Sequence, residues 1–226
     1  MFKTELDKIL FEPPQLGTIL FMPGLPQSGG IIHDRSPYGN HGTITGATWA
    51  RLPSGLWVLS FDGSDDYISV PDADSLDISV AITVEMWIYV NSLASAPMVL
   101  DKAYATSYYL QLGVGGSITF AGKDAAASTL SSGDGYIVTG KWHRIMGTFD
   151  TTTDTMNIGV NGVSIASATN KTGIIGVNAT QIIIGQVNAL TGNKLNGLIG
   201  LFRICNRALS ALEDSNHYNQ ERHLFV

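Results

Sequence analysis

The sequence predicts an all-β protein built as two antiparallel sheets packed face to face, with a short N-terminal arm and a short C-terminal helix. Three observations predict it. The 226 residues are 44% hydrophobic and only 14% charged, enough apolar material for one sizeable core. The apolar residues come in short runs between turn dipeptides, and the 25 glycines suit a turn-rich chain. The clearest run, residues 82–90, alternates strictly: Ile82, Val84, Met86, Ile88 and Val90 on one face, Thr83, Glu85, Trp87 and Tyr89 on the other.

Residues 1–17 read as an arm, ahead of a single domain over 18–226. Thr4 can cap a helix over Glu5 to Phe11, and Pro13-Pro14 ends it. Its apolar residues Leu6, Ile9, Leu10 and Phe11 need a partner. Either they fold back on their own sheet or they meet a second copy, giving a homo-oligomer through the arm. Strands are expected at 18–22 and 31–33, then from Thr43 to Trp49. Leu56 to Phe61 follows, turning at Asp62-Gly63 into Tyr67–Val70, which Pro71 stops. Beyond the 82–90 strand, further strands are expected at 98–102, 108–113, 117–121, 136–139 and 142–149. Asn161-Gly162 joins 156–160 to 163–168 as a type I′ hairpin. Strands at 181–186 and 198–205 complete the set. Ser210-Ala211-Leu212-Glu213 is a capping box, so a helix is expected over about 211–219.

Composition narrows the function. The formal charge is −6 and no basic stripe occurs, so the footprint of a nucleic-acid binder is missing. An anionic membrane surface is a poor partner for the same reason, and no apolar run is long enough to insert into a bilayer. Cys205 is the single cysteine, so no intramolecular disulfide forms. Lys3, Glu5, Asp7, Lys8 and Glu12 interrupt the N-terminus, which carries no secretory signal. The expectation is a protein made in the cytoplasm.

Several blocks then line up in order: Asp34 with Asn40-His41-Gly42-Thr43, Phe61-Asp62-Gly63-Ser64-Asp65-Asp66-Tyr67, Val84-Glu85-Met86-Trp87 and Trp142-His143. Phe149-Asp150, Val160-Asn161-Gly162, Gly185, Leu195-Asn196-Gly197-Leu198-Ile199 and residues 202–210 follow. As an ordered set over about residues 18–222 they resemble the laminin-G-like, concanavalin A-like lectin and glucanase family. The resemblance implies a jelly roll and a role in binding carbohydrate or a protein surface. Two other classes stay open: a structural or decoration protein on a phage particle, displayed without a signal peptide, and a glycoside hydrolase.

A hydrolase of this kind needs two carboxylates flanking the scissile bond. Of the five glutamates only Glu85 lies in a good strand, flanked on its face by Thr83 and Trp87, so the paired set is missing and the reading is a non-enzyme. For ligand contact the expected residues are Glu85, Trp87 and Tyr89 on one strand, Tyr109 and Gln111 on another, and Tyr104 at a loop edge. If both strands share a sheet, these groups form one shallow glycan surface. Calcium is the one cofactor left open. Asp34 and Asn40 with loop carbonyls are the first oxygen set, and Asp62 with Asp65 and Asp66 is the second. The alternative for each is an Asx-turn. Relatives of this type usually carry an acidic residue in the penultimate strand that helps hold the metal; Gly200-Leu201 stand there instead.

Overall fold

The computed structural model describes residues 5–11, 14–26, 29–104, 106–122, 128–173 and 175–225. Helix α1 (Glu5–Phe11) precedes β1 (Thr18–Met22), β2 (Ile31–Ile32), β3 (Gly42–Thr45), β4 (Thr48–Arg51), β5 (Trp57–Asp62) and β6 (Tyr67–Val70). Then come β7 (Ala81–Ser92), β8 (Met98–Asp101), β9 (Tyr108–Leu112), β10 (Ile118–Gly122), β11 (Thr129–Ser131) and β12 (Trp142–Asp150). The chain closes with β13 (Thr155–Val160), β14 (Val163–Ala168), β15 (Ile182–Ile184), β16 (Asn196–Cys205) and helix α2 (Ala211–Glu221). Thr4 and Pro13, the expected limits of α1, lie outside the described residues.

These strands form two antiparallel sheets. The first runs β14-β13-β12-β7-β16-β5-β4, and β1 also pairs with β16. The second runs β11-β10-β9-β8-β15-β6-β3-β2. The inward face of β7 meets Leu110, Phe120, Ile182 and Ile184 of the second sheet in one buried cluster. This is the alternation of the sequence turned into a core. The expected run from Thr43 to Trp49 divides between the sheets, with β3 in the second and β4 in the first. The break is at Gly46, whose φ is +72 and where a Cβ would lie 2.1 Å from Asp66 Oδ1.

One expected strand is absent and one strand was not expected. Residues 136–139 are a loop: Ile137 plugs the core and its N–H bonds to the Gly116 carbonyl (2.9 Å), while Tyr136 and Val138 face solvent. Its apolar residues were an anchor rather than a period. β11 was not foreseen, because three residues with one apolar side chain carry no periodic signal.

The larger departure concerns the outward face of the first sheet. Thr83 is buried there under residues 207–209, and Glu85 and Trp87 under α2 and Phe225. A second cluster joins Trp87, Leu201, Leu224 and Phe225 to Leu10 of α1, with Leu6, Ile9, Trp142 and Tyr218 packed against it. The arm therefore folds back on its own sheet. β16 accommodates this cover with a bulge. Gly200 pairs with Trp87 and Arg203 with Glu85, so one extra residue stands on β16 between them. It turns Leu201 outward into the second cluster, at a φ of +45. No helix among the described residues is long and apolar enough to cross a membrane.

Candidate functional site

Arg144 projects from the outward face of β12 into the space under α2, and it organises that space. It ion-pairs with Glu85 of β7 and with Asp214 of α2, and its Nε lies 3.7 Å from Glu221 Oε2. Arg203 of β16 closes the ring, 3.0 Å from Glu85 Oε1 and 2.6 Å from Glu221 Oε1. His217 Nδ1 is 3.0 Å from Glu85 Oε1. Burial alone would raise the Glu85 carboxyl; Arg144, His217 and Arg203 outweigh it and hold it well below the ordinary carboxylate range. Asp214 goes the other way, because its burial outweighs the pull of Arg144. Glu85 is thus neither solvated nor a ligand contact. It is fully committed to fastening α2 to the sheet, and it is equally unsuited to acid or base catalysis.

Beside this network lies an open cleft of about 630 Å³, walled by Trp87, Tyr89, Trp142, Tyr218 and Phe225 and edged by Lys141, Arg222 and His223. Its volume is in the range of small-ligand sites. Trp87 forms the floor. It stacks on Phe225 (centroids 4.2 Å, 10°) and Tyr218 (5.6 Å, 20°), and its Nε1 donates to Glu221 Oε2 at 2.7 Å. Trp142 meets Tyr89 edge-on (5.6 Å) and tilts over Phe225 (4.8 Å). Trp87 is only 3% exposed, whereas Tyr89, Trp142 and Tyr218 are half-buried and present ring surface.

The other expected contacts are elsewhere. β7 belongs to the first sheet and β9 to the second, so Tyr109 and Gln111 face outward on the opposite side of the molecule. The single glycan surface drawn from both strands does not exist. Tyr109 is buried beneath Tyr104 (centroids 4.7 Å), and burial pushes its hydroxyl up to about 12. Gln111 Nε2 donates to the Ala96 carbonyl. Tyr104 is exposed, at the edge of this second group.

The first calcium set resolves as turns. Asp34 Oδ1 accepts from the N–H groups of Phe21 (2.8 Å) and Ser36 (2.7 Å), and Oδ2 from Asn40 N–H (2.8 Å) and Ser36 Oγ (2.6 Å). Asn40 Nδ2 donates to the Ile19 carbonyl (2.8 Å) and Ser75 Oγ (3.0 Å). These side chains hold the loop to β1, and both Asp34 oxygens are taken up by N–H and O–H donors. Gly200 and Leu201 offer no side-chain oxygen and sit in the bulge, so the metal position implied by the resemblance does not fit. Asp62, Asp65 and Asp66 do have carboxylate oxygens within 4.8 Å of one another. Burial, then the charges of Asp62 and Asp65, raise Asp66. Asp66 Oδ2 meanwhile caps the Asp62 N–H at 2.7 Å.

Tyr218, Phe225 and the three basic side chains of the cleft are not singled out by the sequence, and Trp142, a candidate stacking ring, reads there as a core-closing residue at a strand start. A signal existed: Asp214, His217, Tyr218, Glu221 and Phe225 recur at helical spacing after the capping box. That stripe is polar, so it does not announce itself as a packing face.

Two antiparallel sheets over one core, with an aromatic cleft on an outward face, define a jelly-roll sandwich of the lectin type. The chain belongs to the concanavalin A-like lectin/glucanases superfamily, whose family profile matches residues 62–213. Among curated proteins, no sequence matches it. In fold it is similar to the binding domain of Paraclostridial Mosquitocidal Protein 1 (TM-score 0.71, 17% identity, 90% of this chain and 52% of that one). It is also similar to the binding domain of botulinum neurotoxin DC solved in complex with rat synaptotagmin II (0.68, 18%, 90% and 51%). A botulinum neurotoxin type C structure, from work on cell entry through two ganglioside molecules, is a third (0.67, 16%, 90% and 51%). The chain spans about half the length of each.

Proposed function

We propose that this chain is a non-catalytic binding module that recognises carbohydrate through the aromatic cleft on the first sheet. The observation that carries this is the pairing of half-exposed rings, Tyr89 and Trp142, with polar groups on one cleft edge. A sugar presents an apolar C–H face and a fringe of hydroxyls, and such a wall meets both. The commitment of Glu85 to ion pairs supports the non-catalytic reading, since a glycosidase needs a free carboxylate pair. The binding domains that share the fold support it by analogy only.

A glycan array followed by titration tests the proposal. The expected affinity is micromolar to millimolar, and Trp142→Ala should weaken it about tenfold or more while the far-UV spectrum stays unchanged. Trp142 is the better probe than Trp87, whose truncation would remove a buried floor and cost about 3–5 kcal/mol of stability. An array that stays dark sinks the reading and favours a protein-surface or particle-surface role for the domain.

A further inference from the structure

The edge of the cleft has a charge that the rest of the chain does not predict. Lys141, Arg222 and His223 line it, all exposed, and no Asp or Glu does. The chain as a whole is at −6. The nearest carboxylate in sequence, Glu221, is spent beneath the floor on Arg203 and on Trp87 Nε1. Four of the other described cations are neutralised: Lys102 by Asp72 and Asp77, Arg144 and Arg203 by the network, Arg207 by Glu213; Arg51, Lys171 and Lys194 have no carboxylate partner among the described residues, but none of them lines the cleft. Among the described residues, Lys141, Arg222 and His223 have no such partner. The Arg222 guanidinium stands 5.9 Å from the centre of the Tyr218 ring, which keeps it at the cleft wall. Lys141 arrives from the start of β12 and Arg222 from the segment after α2, so two separate pieces of chain converge their charges on one opening.

We infer that the ligand of this cleft is an acidic saccharide, with its ring on Tyr89 and Trp142 and its carboxylate or sulfate held between Lys141 and Arg222. This rests on the carbohydrate reading above and adds the charge of the ligand to it. A guanidinium beside an ammonium suits either anion: the planar fork can bond two oxygens while the lysine adds a mobile point charge. The apolar floor excludes part of the water that would otherwise screen the contact. The same edge rejects amino sugars, whose positive charge would meet two cations. An acidic peptide shares the anion but not the pyranose face, and it is an outcome of the test.

The probe is a glycan array of neutral oligosaccharides and their sialylated, uronate and sulfated counterparts, with a polyglutamate peptide alongside. The best neutral and acidic pair is then titrated against the full chain by tryptophan fluorescence, since Trp87 and Trp142 both line the cleft. The expected result is acidic over neutral by about tenfold or more at low salt, falling as salt is raised. The Lys141→Gln/Arg222→Gln double variant should bring the acidic partner down to about the neutral level, while the neutral one falls much less, because Gln still offers hydrogen bonds to hydroxyls but no charge. Equal binding of the pair overturns the acidic ligand and leaves the carbohydrate reading standing. Acidic binding that survives the double variant overturns the assignment of the cations. Silence from every saccharide, or binding of the peptide alone, overturns both.

Discussion

At the scale of single residues, the side chain with most at stake is Arg144. It is 1% exposed and faces Glu85, Asp214 and Glu221. Removing one member of a buried set leaves the others charged and unpaired. Arg144→Met should therefore cost about 3–5 kcal/mol by denaturant unfolding, far more than the methylene packing it keeps. A loss under 1 kcal/mol would mean that water already reaches the network. The same network gives a pH dependence. Glu85 is depressed from its ordinary 4.5, so its stabilisation is complete above about pH 4.5 and is lost as the pH falls through the depressed value. Glu213, held to about 2 by its bond to Arg207, adds to the same acid limb. Asp214 is raised, so its protonation opposes the trend. The melting temperature should fall on acidification below about pH 4.5, and Glu85→Gln should flatten that fall while lowering stability at neutral pH. An acid limb unchanged in Glu85→Gln would assign it to other carboxylates.

At the scale of elements, the β13–β14 hairpin separates what is local in a sequence from what is not. Asn161 and Gly162 have φ of +52 and +74, as a type I′ turn demands, and the dipeptide alone announces it. The glycine has a second reason that no local reading contains. A Cβ there would lie 3.0 Å from Ser215 Cα and 3.0 Å from Tyr218 Cβ, both in α2. Gly162→Ala should cost about 1–3 kcal/mol and speed hydrogen exchange in α2. Gly135 is the control, with φ +87 and open space around its missing Cβ. Gly135→Ala should cost about 1 kcal/mol and leave α2 exchange alone. Equal exchange in both variants would detach α2 from the hairpin. β16 teaches the same lesson: its run is legible, but its bulge at Gly200-Leu201 is set by partners on β7 and by the cover above it.

At the scale of the whole molecule, the two-sheet sandwich was legible because alternation and turn chemistry are properties of short stretches. The face assignments within β7 were legible too. Which sheet each strand joined was not, since that depends on pairings far apart in sequence, so Trp87 and Tyr109 were drawn onto one surface and lie on opposite ones. Nor was the cover on the first sheet, because its polar stripe on α2 pairs with charges buried in strands. The arm completes that cover, and its removal is the last test. Leu10 is buried, and Leu6 and Ile9 pack against the cluster that holds Phe21, Leu56 and Val58. Each such aliphatic side chain contributes roughly 1.5–3 kcal/mol when fully buried, less for the partly exposed pair. Deleting residues 1–16 should lower the melting temperature and raise binding of a hydrophobic dye, because it bares part of the outward face of the first sheet. Light scattering should give the same number of subunits before and after. A fall in mass with stability per subunit unchanged would instead make the arm an intersubunit strap.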